Sequence, residues 1–307
     1  MRPHLLTRRT LLQSAAAGLG VSAAAPAASG ELTRFQIACK TNPYYAFSFE
    51  RAVQGIAGAG FRYIAWGGRY TNSAGQRVDL LPIDSPPSAG KRLGGICRDA
   101  GLEPVLVASS VSISAENAVT AHTRFIEHAA AAKIPFVVTN GNTKPGLYEV
   151  WISNLKRLGP IARANNVTVV IKPHAGNTNT GRDCSQIVKE VADEGIKVCY
   201  DSGNVLGYVH VDPIADIRTC WKDVRAFIIK DHRDTFKDED CGPGLGEIDH
   251  FKLLLPVART GLTMPLACEN IWAPTVPRPE KDAAAVDSLA RRAREFLEIV
   301  VSAIQAA

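Results

Sequence analysis

From Arg34 to the C-terminus, short apolar runs alternate with longer amphipathic stretches, and the alternation repeats eight times. No other feature limits the fold as strongly. The strand candidates are residues 35–39, 61–66, 104–108, 134–139, 167–171, 196–200, 224–229 and 265–268. Most are rich in Val and Ile and nearly free of charge, as strands buried on both faces are. Helices are expected over 49–59, 91–100, 114–132, 148–164, 184–194, 213–220, 249–260 and 283–304, with Ser114 capping the third. Gly60, Gly101, Gly195 and Gly261 close four of these segments. Strict βα alternation implies a parallel sheet, and eight units favour an α/β chain closed into a single (β/α)8 TIM barrel. An open doubly wound sheet is the alternative, but no G-x-G-x-x-G follows the first strand.

Residues 1–30 stand apart from this pattern. Arg8-Arg9 precedes Leu11-Leu12, an Ala-rich run follows, and Ala25-Pro26-Ala27 offers a small-x-small cleavage signal. The segment reads as a twin-arginine export signal, with a Sec signal as the alternative, and predicts a periplasmic or extracellular mature chain. The mature barrel is then 31–307, with no stable membrane insertion after cleavage. Of the net charge of +5, Arg2, Arg8 and Arg9 supply three, and no acid precedes Glu31. A mature chain of about +2 gives no support for a nucleic-acid partner. The seven cysteines contain no C-x-x-C pair and an odd count, which argues against a disulfide framework.

In a barrel of this kind, chemistry gathers where strands end. The polar residues there are Lys40, Trp66, Asn140, Lys172, His174, Asp201, Asn204, Lys230, Asp231, His232, Glu269 and Asn270. Trp66, followed by Gly67-Gly68, offers a stacking face for a sugar ring, with core packing as the alternative. Residues 242–246, Gly-Pro-Gly-Leu-Gly, form either a plain loop or an anion nest.

Four segments carry a family resemblance: Val-Val-Ile-Lys-Pro-His-Ala-Gly at 169–176, Cys-Tyr-Asp-Ser-Gly-Asn at 199–204, Ile-Ile-Lys-Asp-His-Arg at 228–233, and Gly-Leu-Gly-Glu-Ile-Asp at 244–249 followed by Leu-Ala-Cys-Glu at 266–269. In order and placement they resemble the sugar phosphate isomerase/epimerase family of the xylose isomerase-like TIM barrel superfamily. The resemblance implies a divalent ion, Mn²⁺ or Mg²⁺, held by Glu, Asp, His and Glu on strands five to eight. That ion polarises a sugar carbonyl while carboxylates move a proton between neighbouring carbons. This chain keeps Asp201 and Glu269, but Lys172 stands in the first Glu position and Ile228 in the His position. An ammonium there repels a divalent ion and itself neutralises the two acids. His174 and His232 are the candidate replacement imidazoles.

The resemblance therefore implies an isomerase or epimerase, or a lyase, working on a carbohydrate or polyol. Its catalytic candidates are Lys172, His174, Asp201 and Glu269, and its substrate-binding candidates are Trp66, Asn140, Asn204, Lys230 and His232. An altered metal site would comprise Asp201, His232 and Glu269. A catalytically silent sugar-binding barrel and a metal-dependent hydrolase or endonuclease are the competing readings. The sequence carries no signature of oligomeric state.

Overall fold

The computed structural model describes residues 30–140, 146–235 and 237–307, and residues 31–307 form one compact unit. Apart from Gly30, the expected export segment falls outside the described residues.

Eight strands close into a barrel: β1 Arg34–Lys40, β2 Tyr63–Trp66, β3 Glu103–Ala108, β4 Phe136–Asn140, β5 Thr168–Lys172, β6 Ile196–Asp201, β7 Val224–Ile229 and β8 Thr263–Cys268. Each pairs in parallel with its sequence neighbours, and β8 closes onto β1. The α/β barrel expected from the alternation is the observed fold. Around it lie α1 Phe49–Gly58, α2 Pro87–Asp99, α3 Ala118–Ala132, α4 Tyr148–Ala164, α5 Gly181–Val191, α6 Ser202–Val209, α7 Pro213–Cys220, α8 His250–Leu254 and α9 Ala283–Ala306.

The helix starts follow local chemistry. Ser48 accepts from the Arg51 amide, Thr180 and Asp183 form a reciprocal capping box, and Asp282 caps α9. The expected Ser114 cap is corrected: α3 begins four residues later, and Ser114 Oγ bonds Ser112 Oγ at 2.9 Å instead. The helix expected over 249–260 is also shorter, because Pro256 follows α8 in a 3₁₀ turn at Leu255–Val257. Two hairpins that the alternation did not announce, Arg69–Thr71 with Arg77–Asp79 and Asp231–Arg233 with Glu239–Cys241, lie outside the barrel.

Side chains alternate along each strand between the barrel interior and the helix layer. The interior layer is small and apolar: Ala38, Ala65, Val170, Cys199, Ile228 and Ala267. Two residues further along five of these strands come Lys40, Lys172, Asp201, Lys230 and Glu269. The charges thus form the next layer up, at the C-terminal mouth. Trp66 has the opposite parity to Ala65. It packs edge-on against Phe49 in α1, ring centroids 5.9 Å apart, and is fully buried in the outer core. All seven cysteines are buried and unpaired.

Trp66→Ala should lower stability by about 3–5 kcal/mol. The check is the shift in urea midpoint.

Candidate active site

Asp201 is fully buried at the end of β6 and also caps α6, accepting from the Asn204 amide at 3.0 Å through Oδ1. Its Oδ2 lies 3.0 Å from Lys172 Nζ. Asn204 donates its side-chain amide to the Pro173 carbonyl at 2.7 Å and accepts from Lys230 Nζ at 2.5 Å. Glu269 meets three ammonium groups: Lys40 at 2.5 Å, Lys172 at 3.5 Å and Lys230 at 3.8 Å. Lys230 reaches Asp240 at 3.0 Å as well. The result is one network in which every buried charge has an opposite partner, the condition under which buried charge is tolerated.

The electrostatic consequences oppose simple burial. Burial alone would raise the Glu269 carboxyl, but Lys172, Lys40 and Lys230 hold it well below the usual carboxylate range. Burial would likewise lower the Lys172 ammonium, yet Glu269 and Asp201 drive it above its ordinary value. Lysine and glutamate therefore stay charged. His174 goes the other way: burial, then the neighbouring Lys172, lowers its pKa and favours the neutral imidazole. Its Nδ1 is buried without a hydrogen-bond partner, and its ring meets Tyr208 edge-on at 5.5 Å.

These groups border a cavity of about 320 Å³ at the barrel mouth, with Lys40, Lys172, Lys230 and Glu269 at its base and His174, Asn204 and Tyr208 in its wall. The Glu269 side chain is 19% exposed and Asp201 0%, so Glu269 is the carboxylate that faces the cavity. Arg69, Arg77, Tyr45 and Ser109 stand at the rim.

Of the residues singled out from sequence, Lys172, His174, Asp201, Asn204, Lys230 and Glu269 come together here. Trp66 does not: buried against Phe49, it has no face to offer a sugar. Asn140 ends β4 in register with Lys172, and its side chain falls outside the described residues. His232 is turned away from the acids it was expected to join. Its Nδ1 lies 3.0 Å from Asp240 and its Nε2 3.0 Å from Asp234 and 3.3 Å from Asp238. Nor is residues 242–246 an open nest. Asp231 fills it, accepting from the Gly244 amide at 3.0 Å and from the His232 and Ile248 amides at 2.9 and 3.0 Å.

A divalent ion does not fit the donor set at the floor. Asp201 and Glu269 share Lys172 between them, and Ile228 brings an apolar side chain where the resemblance implies an imidazole. Among the described residues, the group with metal-like spacing is His232, Asp234 and Asp238, with ligand atoms within 4.8 Å of one another. Of these, His232 and Asp238 line a second cavity together with Asp240 and Tyr208.

Sequence reasoning passed over Arg69, Arg77 and Tyr208. The two arginines sit on the first hairpin, whose Asn-Ser-Ala-Gly stretch at 72–75 is a turn signal. Tyr208 sits late in α6, where spacing alone gives no hint that it overlooks a strand end.

The profile of the family described as xylose isomerase-like TIM barrel matches residues 53–296. No curated protein matches the chain. Among solved structures, a xylose isomerase domain protein from Planctomyces limnophilus shares 13% identity over 90% of this chain and 100% of that one, with a TM-score of 0.69. A D-psicose 3-epimerase with D-tagatose, from Clostridium cellulolyticum H10, shares 14% over 87% and 99%, at 0.67. A xylose isomerase-like TIM barrel protein from Mycobacterium smegmatis in complex with magnesium shares 14% over 84% and 97%, at 0.65. At these identities the likeness concerns the fold. Among the described residues no helix is long and apolar enough to cross a membrane.

Removing one member of the buried network exposes its energetic role. Lys172→Met should cost about 3–5 kcal/mol by leaving Asp201 without its nearest cation. The double variant Lys172→Met with Asp201→Asn should recover part of that loss in the same urea titration.

Proposed function

We propose, since this chain belongs to the xylose isomerase-like TIM barrel family, that it acts on a carbohydrate or polyol by moving a proton next to a carbonyl. Isomerisation, epimerisation and elimination all share that first step. One observation carries the reading: three buried ammonium groups meet Glu269 at the base of the cavity, with Asp201 buried behind Lys172 and the His174 imidazole in the wall.

The chemistry follows from those charges. When a C–H bond beside a carbonyl breaks, its electron pair forms the enediolate C=C bond and the carbonyl π pair moves onto oxygen. Fixed ammonium groups of Lys40, Lys172 and Lys230 are suited to meet that developing negative charge. Glu269 is a poor proton acceptor, because the same ammonium groups have lowered its proton affinity. Its role in this reading is to hold Lys40 and Lys172 in place, as Asp201 holds Lys172 from below. His174, neutral and half-buried, takes the proton and returns it. Return to the neighbouring carbon, with the hydroxyl proton passing to the former carbonyl oxygen, is isomerisation, and return to the opposite face of the same carbon is epimerisation. Loss of a β-hydroxyl instead is elimination.

No step passes through a metal, because the acids that would hold one already bond ammonium groups. The solved sugar epimerases of similar fold support the substrate class, and the lysine floor supports a different way of stabilising charge. Export behind residues 1–30 belongs to the same reading, supported by Arg8-Arg9 and Ala25-Pro26-Ala27. It favours unphosphorylated sugars.

Solvent deuterium exchange tests the step directly. Ketoses, aldoses and 3-keto-sugars incubated with the enzyme in D₂O should gain deuterium beside the carbonyl, by NMR, with and without EDTA. His174→Gln should slow exchange by about 10²–10⁴-fold. No exchange with any of them, but intact sugar binding, would mark a silent barrel. The pH profile gives a second check. Because the neutral imidazole is the active form, kcat/KM should rise with pH through an apparent pKa below the ordinary histidine value of 6.5 and then stay level.

A further inference from the structure

The cations around the cavity are matched almost one for one. Lys40 pairs with Glu269, Lys172 with Asp201, Lys230 with Asp240, and Arg69 with Asp79 at 2.9 Å. Arg77, which also borders the cavity, has no ion-pair partner among the described residues. Its guanidinium lies over the Tyr45 ring, 4.9 Å from the centroid, while the Tyr45 hydroxyl donates to Glu280.

That position is built rather than incidental. Arg77 opens the second strand of the hairpin, whose turn is closed by Asn72 Oδ1 accepting from the Ala74 and Gln76 amides at 3.0 and 2.9 Å. Thr71 ties the hairpin to the loop that carries Tyr45, donating its hydroxyl to the Tyr45 carbonyl at 2.7 Å. Arg77 is therefore held over the mouth by a braced hairpin and by a ring stacked under its guanidinium.

We infer that the substrate is a sugar acid, its carboxylate held by Arg77 at the rim while its carbonyl end meets the lysine floor. This rests on the proton-transfer reading given above and narrows its substrate class. A planar guanidinium fork matches a carboxylate with two parallel hydrogen bonds. One unmatched positive charge suits a monoanion. A phosphate dianion calls for more charge and for free backbone amides, and the glycine-rich loop that could offer them is filled by Asp231.

The experiment measures calorimetric binding and deuterium exchange separately. It compares a neutral hexose, the corresponding hexuronate and the hexose 6-phosphate, on the wild type, Arg77→Ala and Arg77→Lys. The hexuronate should bind and exchange best in the wild type. Arg77→Ala should weaken hexuronate binding about tenfold to a hundredfold and raise KM with little change in kcat. The hexuronate's advantage over the neutral sugar should shrink accordingly, and Arg77→Lys should recover part of it. Arg77-dependent hexuronate binding without exchange upholds this inference and overturns the proton-transfer reading. Exchange that favours the neutral sugar, with Arg77→Ala like the wild type, overturns the inference and leaves that reading standing. A preference for the 6-phosphate overturns the carboxylate assignment.

Discussion

Lys172 lies 3.0 Å from Asp201 and 3.5 Å from Glu269, and the mouth of this barrel is organised around that shared contact. Neither acid could stay ionised at such depth alone, and an unpaired ammonium would be equally costly. Together they allow charged residues to stand at the ends of β1, β5 and β6 and immediately after β7 and β8, gathered into one network. Asp201 also starts α6, so the same carboxylate that balances Lys172 fixes where that helix begins. Asn204 then joins Lys230 to the Pro173 carbonyl, and the second half of the mouth is tied to the first.

The arrangement differs in kind from a metal centre. A divalent ion concentrates charge at one point and exchanges with solvent. Here the positive charge is spread over three lysines that are part of the chain, each locked by a carboxylate. The two acids that the family resemblance implies as ligands are retained, but their partners are covalently attached. Depressed proton affinity at Glu269 follows from this, while burial, with Lys172 and Lys230, favours the neutral form of His174.

The barrel was readable because its evidence is distributed: eight apolar runs with interposed amphipathic segments leave few other solutions. The charged floor was also legible, since Lys172 at a strand end where an acid was expected already implied an ammonium between Asp201 and Glu269. Parity decided what was not. Trp66 and Ala65 are adjacent, and one residue of phase separates the outer core from the barrel interior. His232 follows the Lys230-Asp231 pair by one residue, and the Asp231–Arg233 strand carries it away to Asp234, Asp238 and Asp240. Arg77 and Tyr208 act across long stretches of sequence, where local spacing has no bearing on proximity.

Beneath the charged layer lie Ala38, Val170, Ile228 and Ala267, with no polar side-chain atom, and Cys199, whose thiol is only a weak hydrogen-bonding group. Water cannot hydrate the network from that side, and the barrel wall closes it laterally. The dielectric around these charges is therefore lopsided, low below and high above, and the field they leave uncancelled emerges through the mouth. Ile228, in register with Asp201, thereby acts as an insulator on the underside of the network.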